Sequence, residues 1–157
     1  MQQWFIYALI AAVFIGIKDL MTKDLTKRYS YIEYIIIANI IGQLLFYICH
    51  RLFHEISYLQ RFHKIHHEYR IPIGIRAAYS HPIDFVCGNM IPLTIVPYIL
   101  EMNAFLLPFI IVLGIYKTVL IDHSDYSKKS QHHINHHKYY NCNYGAKWID
   151  TLLATLK

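Results

Sequence analysis

The chemistry-bearing residues of this 157-residue chain are its histidines, eleven in number, and most fall in three spaced groups. His50-x-x-x-His54 puts two imidazoles one helical turn apart. His63-x-x-His66-His67 and His133-x-x-His136-His137 each offer positions i, i+3 and i+4, largely one helix face. A neutral imidazole is a borderline ligand that suits zinc, copper, iron or nickel. A structural zinc takes four ligands, with Cys prominent, and a catalytic one takes three plus water. The three groups together with His81 and His123 exceed the need of one such ion, and two metals sharing about ten imidazoles is the economical count. No carboxylate recurs at comparable spacing, which separates the pattern from the Glu/Glu-x-x-His di-iron bundles.

Competing chemistries lack their parts. Cys49, Cys87 and Cys142 form no C-x-x-C pair and no disulfide framework. His123-Ser124-Asp125 are neighbours in sequence, and no nucleophile elbow accompanies them. The chain has no Gly-rich phosphate loop, no H-E-x-x-H and no dinucleotide-binding unit, so reducing electrons must come from a partner. His81 and His123 stand alone, and for each a helix-end or hydrogen-bonding role competes with ligation. His132 lies off the repeated pattern and fits a supporting role. Ligating imidazoles donate their other N–H to a carboxylate or carbonyl, with Asp84, Asp122 and Glu68 as candidate acceptors.

The elements that must position these groups are apolar. Hydrophobic residues make up 55% of the chain, and its mean hydropathy is +0.27. Met1–Ile17 carries no charge, Tyr31–Cys49 carries only Glu33, and Phe85–Leu100 and Met102–Tyr116 are charge-free. A helix needs about 20 residues to cross about 30 Å of hydrocarbon, so these blocks lie at or just below the limit. The first block lacks the basic flank and small-residue cleavage site of a signal peptide. The expected fold is all-α: one domain over residues 1–157, an integral membrane bundle of three or four short helices. The pair Phe85–Leu100 and Met102–Ile121 forms two spans or one re-entrant hairpin.

With four crossings, all histidines fall on one side of the membrane. The opposite loop holds Lys18, Lys23, Lys27 and Arg28, while the histidine face holds the other eleven of the fifteen Lys and Arg. The positive-inside rule makes that face cytoplasmic. These basic residues form no continuous arm, so the sequence pI of 9.1 is read as topology and not as nucleic-acid binding. Asn39, Gln43, His50 and His54 line one stripe of one helix, which must face protein or water. His50 and His54 are expected to end that helix, and His63, His66 and His67 to begin the next along the membrane surface.

One H-x-x-x-H and two H-x-x-H-H groups around membrane helices resemble the fatty acid hydroxylase/sterol desaturase superfamily. A closer likeness is to the C4-methylsterol oxidase branch. The stretch "HRLFHEISYLQRFHKIHHEYRIPIGIRAAYSHPIDF", His50–Phe85, resembles that branch almost continuously, including Tyr58, His63-Lys64, Pro72 and His81-Pro82. "HSDY", His123–Tyr126, resembles its H-S-G-Y. "HHINHHKYYNCNYG", His132–Gly145, with Trp148 and Asp150, resembles its last histidine box and tail. The likeness covers roughly residues 45–155. It implies a histidine-rich helical cap on the cytosolic side, in the endoplasmic reticulum if the host is eukaryotic. It further implies two iron ions held by His50, His54, His63, His66, His67, His123, His133, His136 and His137. His81 matches the family's H-P-x-[DE] position. The implied activity is O2-dependent hydroxylation or desaturation of a sterol, fatty acyl or carotenoid substrate, with electrons from cytochrome b5 or a reductase. No catalytic side chain beyond the metal ligands is required. Asp125 stands where H-S-G-Y has glycine, and only nine residues separate His123 from His133. These shortened segments motivate an alternative: a non-catalytic membrane protein holding zinc or iron in a structural or lipid-binding role. Zinc is also a possible substitute in recombinant material.

Overall fold

The computed structural model describes residues 30–70, 74–100, 107–123 and 131–157. Met1–Ile17, most of the Lys18–Ser30 loop, Pro72 and Ser124–Tyr126 lie outside the described residues. Among the described residues every regular element is helical: α1 (Tyr31–Glu55), α2 (Ser57–His66), a 3-10 segment (Gly74–Ala78), α3 (Asp84–Ile99), α4 (Leu107–Tyr116), α5 (Gln131–Tyr139) and α6 (Lys147–Leu152).

Ser30 starts α1 as a reciprocal cap. Its hydroxyl accepts the Glu33 N–H at 3.4 Å, and the Glu33 carboxylate accepts the Ser30 N–H at 2.8 Å. The helix stops at Ile56, whose backbone is extended (φ −87°, ψ 113°). Gln60 then reaches back, donating its Nε2–H to the His54 carbonyl at 3.2 Å. Within α1, Ile35–Glu55 has the length and apolarity to cross a membrane, and it is the one such helix among the described residues. Ile32, Ile36, Ile40, Leu44 and Ile48 are exposed along it. α3 is shorter than a span, and α4 has only 10 residues. The two pack closely: a Cβ on Gly114 would sit 3.0 Å from a Leu93 methyl.

Two stretches widen into π-helix, Asp84–Met90 at the start of α3 and Lys117–Asp122 after α4. Such stretches recur at functional sites. Here the first carries Asp84, and the second ends at His123.

One expectation is corrected. His63, His66 and His67 end α2 and do not begin a helix, with His67 as its C-terminal cap. Imidazoles in a last turn complement the helix dipole, and this polarity turns the box back toward the end of α1. Among the described residues, buried apolar side chains form two small clusters, Ala38, Val96 and Leu100 in one and Tyr47, Tyr144 and Ile149 in the other. The remaining deeply buried side chains are mostly polar, so most of the interior is the site itself.

Candidate metal centre

Nine of the ten histidines singled out from the sequence come together in two adjacent groups. His50, His54, His63, His67 and His136 bring one ring nitrogen each to within 4.8 Å of one another, and all five are buried. His66, His123, His133 and His137 do the same beside them. The groups touch, since the His67 and His137 rings are 4.5 Å apart between centroids. The boxes do not map onto the groups. α2 gives His63 and its cap His67 to the first and His66 to the second; α5 gives His136 to the first and His133 and His137 to the second. Residues i and i+4 point one way and i+3 or i+1 another, so a helix wedged between two sites feeds both.

His81 does not join either group. It lies just before α3, its Nδ1 accepting the Ile83 N–H at 3.2 Å, and its ring packs 4.5 Å from Phe62. It takes the helix-end role, because a side chain there is needed to satisfy a free N–H of the first turn.

Behind the ligand nitrogens stands an ordered set of acceptors. His50 donates Nδ1–H to the Tyr144 carbonyl at 2.6 Å, and His136 donates to the Cys142 carbonyl at 2.6 Å. His123 donates to the Thr118 carbonyl at 2.8 Å, and His66 lies 3.4 Å from the Tyr79 carbonyl. His63 faces a buried carboxylate, Asp84 Oδ1, at 2.9 Å. Of the three acidic candidates only Asp84 serves this purpose. Asp122 pairs with Lys117 at 2.6 Å, and Glu68 accepts the Tyr79 hydroxyl at 2.8 Å.

The loop that carries two of these carbonyls is held by Asp150. One of its oxygens accepts the Tyr144 N–H at 2.8 Å and the Thr155 hydroxyl at 2.7 Å. The other accepts from Gly145 N–H and from His132 Nε2, both at 3.0 Å. His132 thus supports the ligands from behind. Tyr140 (φ 68°) and Asn143 (φ 55°) take left-handed backbone to make this loop. A Cβ on Gly145 would come 3.0 Å from that of Tyr47, so the loop packs tightly on α1 there. Tyr140 was not legible beforehand; its ring sits 4.5 Å from His54 and 4.7 Å from His67, closing over the first group. Asn39 and Gln43 bond each other and stop short of the imidazoles; Gln43 continues to Trp148 Nε1 at 2.8 Å.

The donor set fits cations. With Nδ1–H committed to an acceptor, Nε2 of His50 and of His63 each presents a bare lone pair. Those two lone pairs face each other at 3.1 Å. His67 Nε2 is 3.0 Å from the same His63 nitrogen. The Nε2 atoms of His123 and His133 approach to 3.0 Å, and those of His133 and His137 to 3.1 Å. Two bare lone pairs so opposed, as in His50 and His63, repel unless a positive charge lies between them. Protonation is no remedy, because burial, followed by neighbouring imidazoles, drives His63, His66, His133 and His136 well below the ordinary imidazole range. His137 is pushed down to about 3, again by burial first. His136 Nε2 and both nitrogens of His54 are buried with no hydrogen-bond partner.

A profile of the family described as fatty acid hydroxylase matches residues 35–155. The human fatty acid hydroxylase domain-containing protein 2 is 28% identical over 132 residues, 82% of this chain and 40% of its own length. A Delta(7)-sterol 5(6)-desaturase of Gibberella zeae is 30% identical over 126 residues, 73% of this chain and 39% of its own. A C-4 methylsterol oxidase of Schizosaccharomyces pombe is 27% identical over 127 residues, 69% of this chain and 42% of its own. The chain spans about two-fifths of the length of these curated relatives. No solved structure matches. With the profile running from the apolar helix through both histidine groups to the Asp150 turn, the chain belongs to the fatty acid hydroxylase family.

Proposed function

We propose that the two imidazole groups hold two iron ions, and that the protein hydroxylates or desaturates C–H bonds of a sterol or another long apolar lipid. O2 is the oxidant, and electrons come from an external donor such as cytochrome b5 or a reductase. The observation that carries this reading is the gathering of nine imidazoles into two adjacent groups, one ring nitrogen of each within 4.8 Å of the others in its group. Two irons so held supply the reduction of O2 and the oxidation of an unactivated C–H bond.

The chain's own residues do the rest. His50, His54, His63, His67 and His136 would hold one ion, and His66, His123, His133 and His137 the other. Asp84 holds His63 in one tautomer and places a negative charge behind an otherwise neutral ligand set. The carbonyls of Tyr144, Cys142 and Thr118 fix their rings in the same way. Tyr140 and the burial of the first group keep water away from it. The exposed apolar row of α1 supports delivery of the substrate from the bilayer.

In this reading residues 1–157 form one membrane domain. About four short helices cross or enter the bilayer beneath a cytoplasmic histidine-rich cap, in the endoplasmic reticulum of a eukaryotic host. No nucleic acid is involved. Protein in its native membrane, given reductant and candidate sterols, fatty acyl lipids and carotenoids with and without O2, is expected to form an oxygen-dependent product. No such product from any class would sink the enzyme reading. Zinc, in place of two irons, in protein purified from that membrane would favour the non-catalytic alternative.

A further inference from the structure

The end of the chain has an apolar side that the metal site does not use. On α6, Trp148 and Leu152 are four residues apart and share one face; they are 47% and 74% exposed, while Ile149 and Asp150 on the other side are fully buried. Leu153 and Leu156 continue the exposed apolar surface. Trp148 does not hang free: its indole N–H is bonded to Gln43 at 2.8 Å.

The position of Gln43 is what makes this informative. It lies twelve residues before Glu55, about 18 Å back along α1. From Gln43 toward Glu55 the same side of α1 carries Tyr47, His50 and His54, all buried under the cap. From Gln43 toward Tyr31 that side carries Ile40, Ile36 and Ile32, all exposed. Trp148 therefore marks the level at which α1 changes from bearing the site to facing outward with isoleucines. An indole with one bonded polar edge and an apolar body is suited to that level of a membrane, where tryptophan is enriched.

We propose that α6 and the residues after it lie in the bilayer interface, with Trp148, Leu152 and Leu153 among the upper acyl chains and Lys147 at the headgroups. The cap is thereby seated on the membrane that holds α1. This rests on reading α1 as a helix that enters the membrane, with the part from Gln43 toward Tyr31 in the acyl chains, and Trp148 ties α6 to α1 at that level.

The chain has two tryptophans, so Trp4→Phe leaves Trp148 as the sole reporter. The full-length variant is placed in nanodiscs of phosphatidylcholine brominated either near the headgroup end of the acyl chain or near its terminus. Expected are a blue-shifted emission, loss of most of it with shallow bromines, a smaller loss with deep bromines, and little quenching by aqueous acrylamide. Strong acrylamide quenching with no effect of bromine overturns the proposal. Stronger quenching from the deep position also overturns it, as does protection from both agents, which would mean that a second copy covers the face. Carbonate extraction of the native membrane separates the two readings. A chain that stays in the pellet with Trp148 unquenched refutes only the interfacial seat; a chain that is extracted refutes the membrane insertion of α1.

Discussion

Asp84→Asn is expected to weaken metal binding while leaving the metal-free protein as stable as before, or more so. The carboxylate is almost wholly buried, with 2% side-chain exposure, and it faces His63 Nδ1 at 2.9 Å. Its second oxygen, Oδ2, has no hydrogen-bond partner. A buried carboxylate so placed costs the empty protein free energy, because the charge is desolvated and half unpaired. Asparagine preserves the shape and an acceptor for the imidazole N–H, but it removes the charge. In the loaded protein that charge holds the tautomer and raises the basicity of His63 Nε2, and loss of such a partner typically costs 10–100-fold in metal affinity. That is about 1.4–2.7 kcal/mol. The two effects have opposite signs, which distinguishes a ligand-supporting carboxylate from a merely structural one. Competition with a chelator of known affinity measures the first, and thermal unfolding of metal-depleted protein in one detergent measures the second. Unchanged metal affinity, or equal losses of stability with and without metal, would refute the reasoning.

Three further outcomes are expected. Gly88→Ala puts a Cβ 2.9 Å from Asp84 Oδ1, the oxygen that His63 uses, so it should lower metal affinity about as much as Asp84→Asn; unaltered affinity would show that the carboxylate can move freely. His136→Ala should lower the bound metal from two ions toward one or none, whereas His81→Ala should leave the stoichiometry unchanged and cost about 1 kcal/mol of stability through the lost helix cap; elemental analysis with thermal unfolding separates the two. Metal-free protein should lose stability as pH falls below about 6.5, because His63, His66, His133 and His136 have folded pKa values well below the unfolded one, so the unfolded chain takes up protons first. Stability is then intact above that pH and declines by up to about 1.4 kcal/mol per pH unit for each such imidazole until the folded pKa is reached, near 3 for His137. A denaturation midpoint that is flat from neutral pH to about pH 5 would contradict the burial of these rings.

The ligand types were legible in the sequence because helical spacing is local: i, i+3 and i+4 put imidazoles on neighbouring faces whatever the tertiary fold. The helix bearing His50 and His54 was legible for the same reason, its apolar length being a property of consecutive residues. What the spacing could not give is how each box divides between the two groups. That depends on how α2 and α5 lie against each other. The polarity of the second box was misread for a related reason, since a helix end at His67 is set by where the chain must turn toward α1 and not by any breaker residue. Asp84 could not be separated from Asp122 and Glu68, because it is the π-helical start of α3 that aims it at His63. His81 looked equivalent to His123 in isolation. Only the path of the chain, into α3 at one and out of a π-helical turn toward the second group at the other, tells them apart.

The division of each box between both groups would make the two proposed ions interdependent. Neither group can close without ordering both α2 and α5, so the first ion to enter pays the conformational entropy of assembling both helices and leaves its neighbour a preformed cradle. Under the proposed function, loading is expected to be cooperative. When metal is scarce, a population of these molecules should sort into empty and filled, with few carrying a single ion.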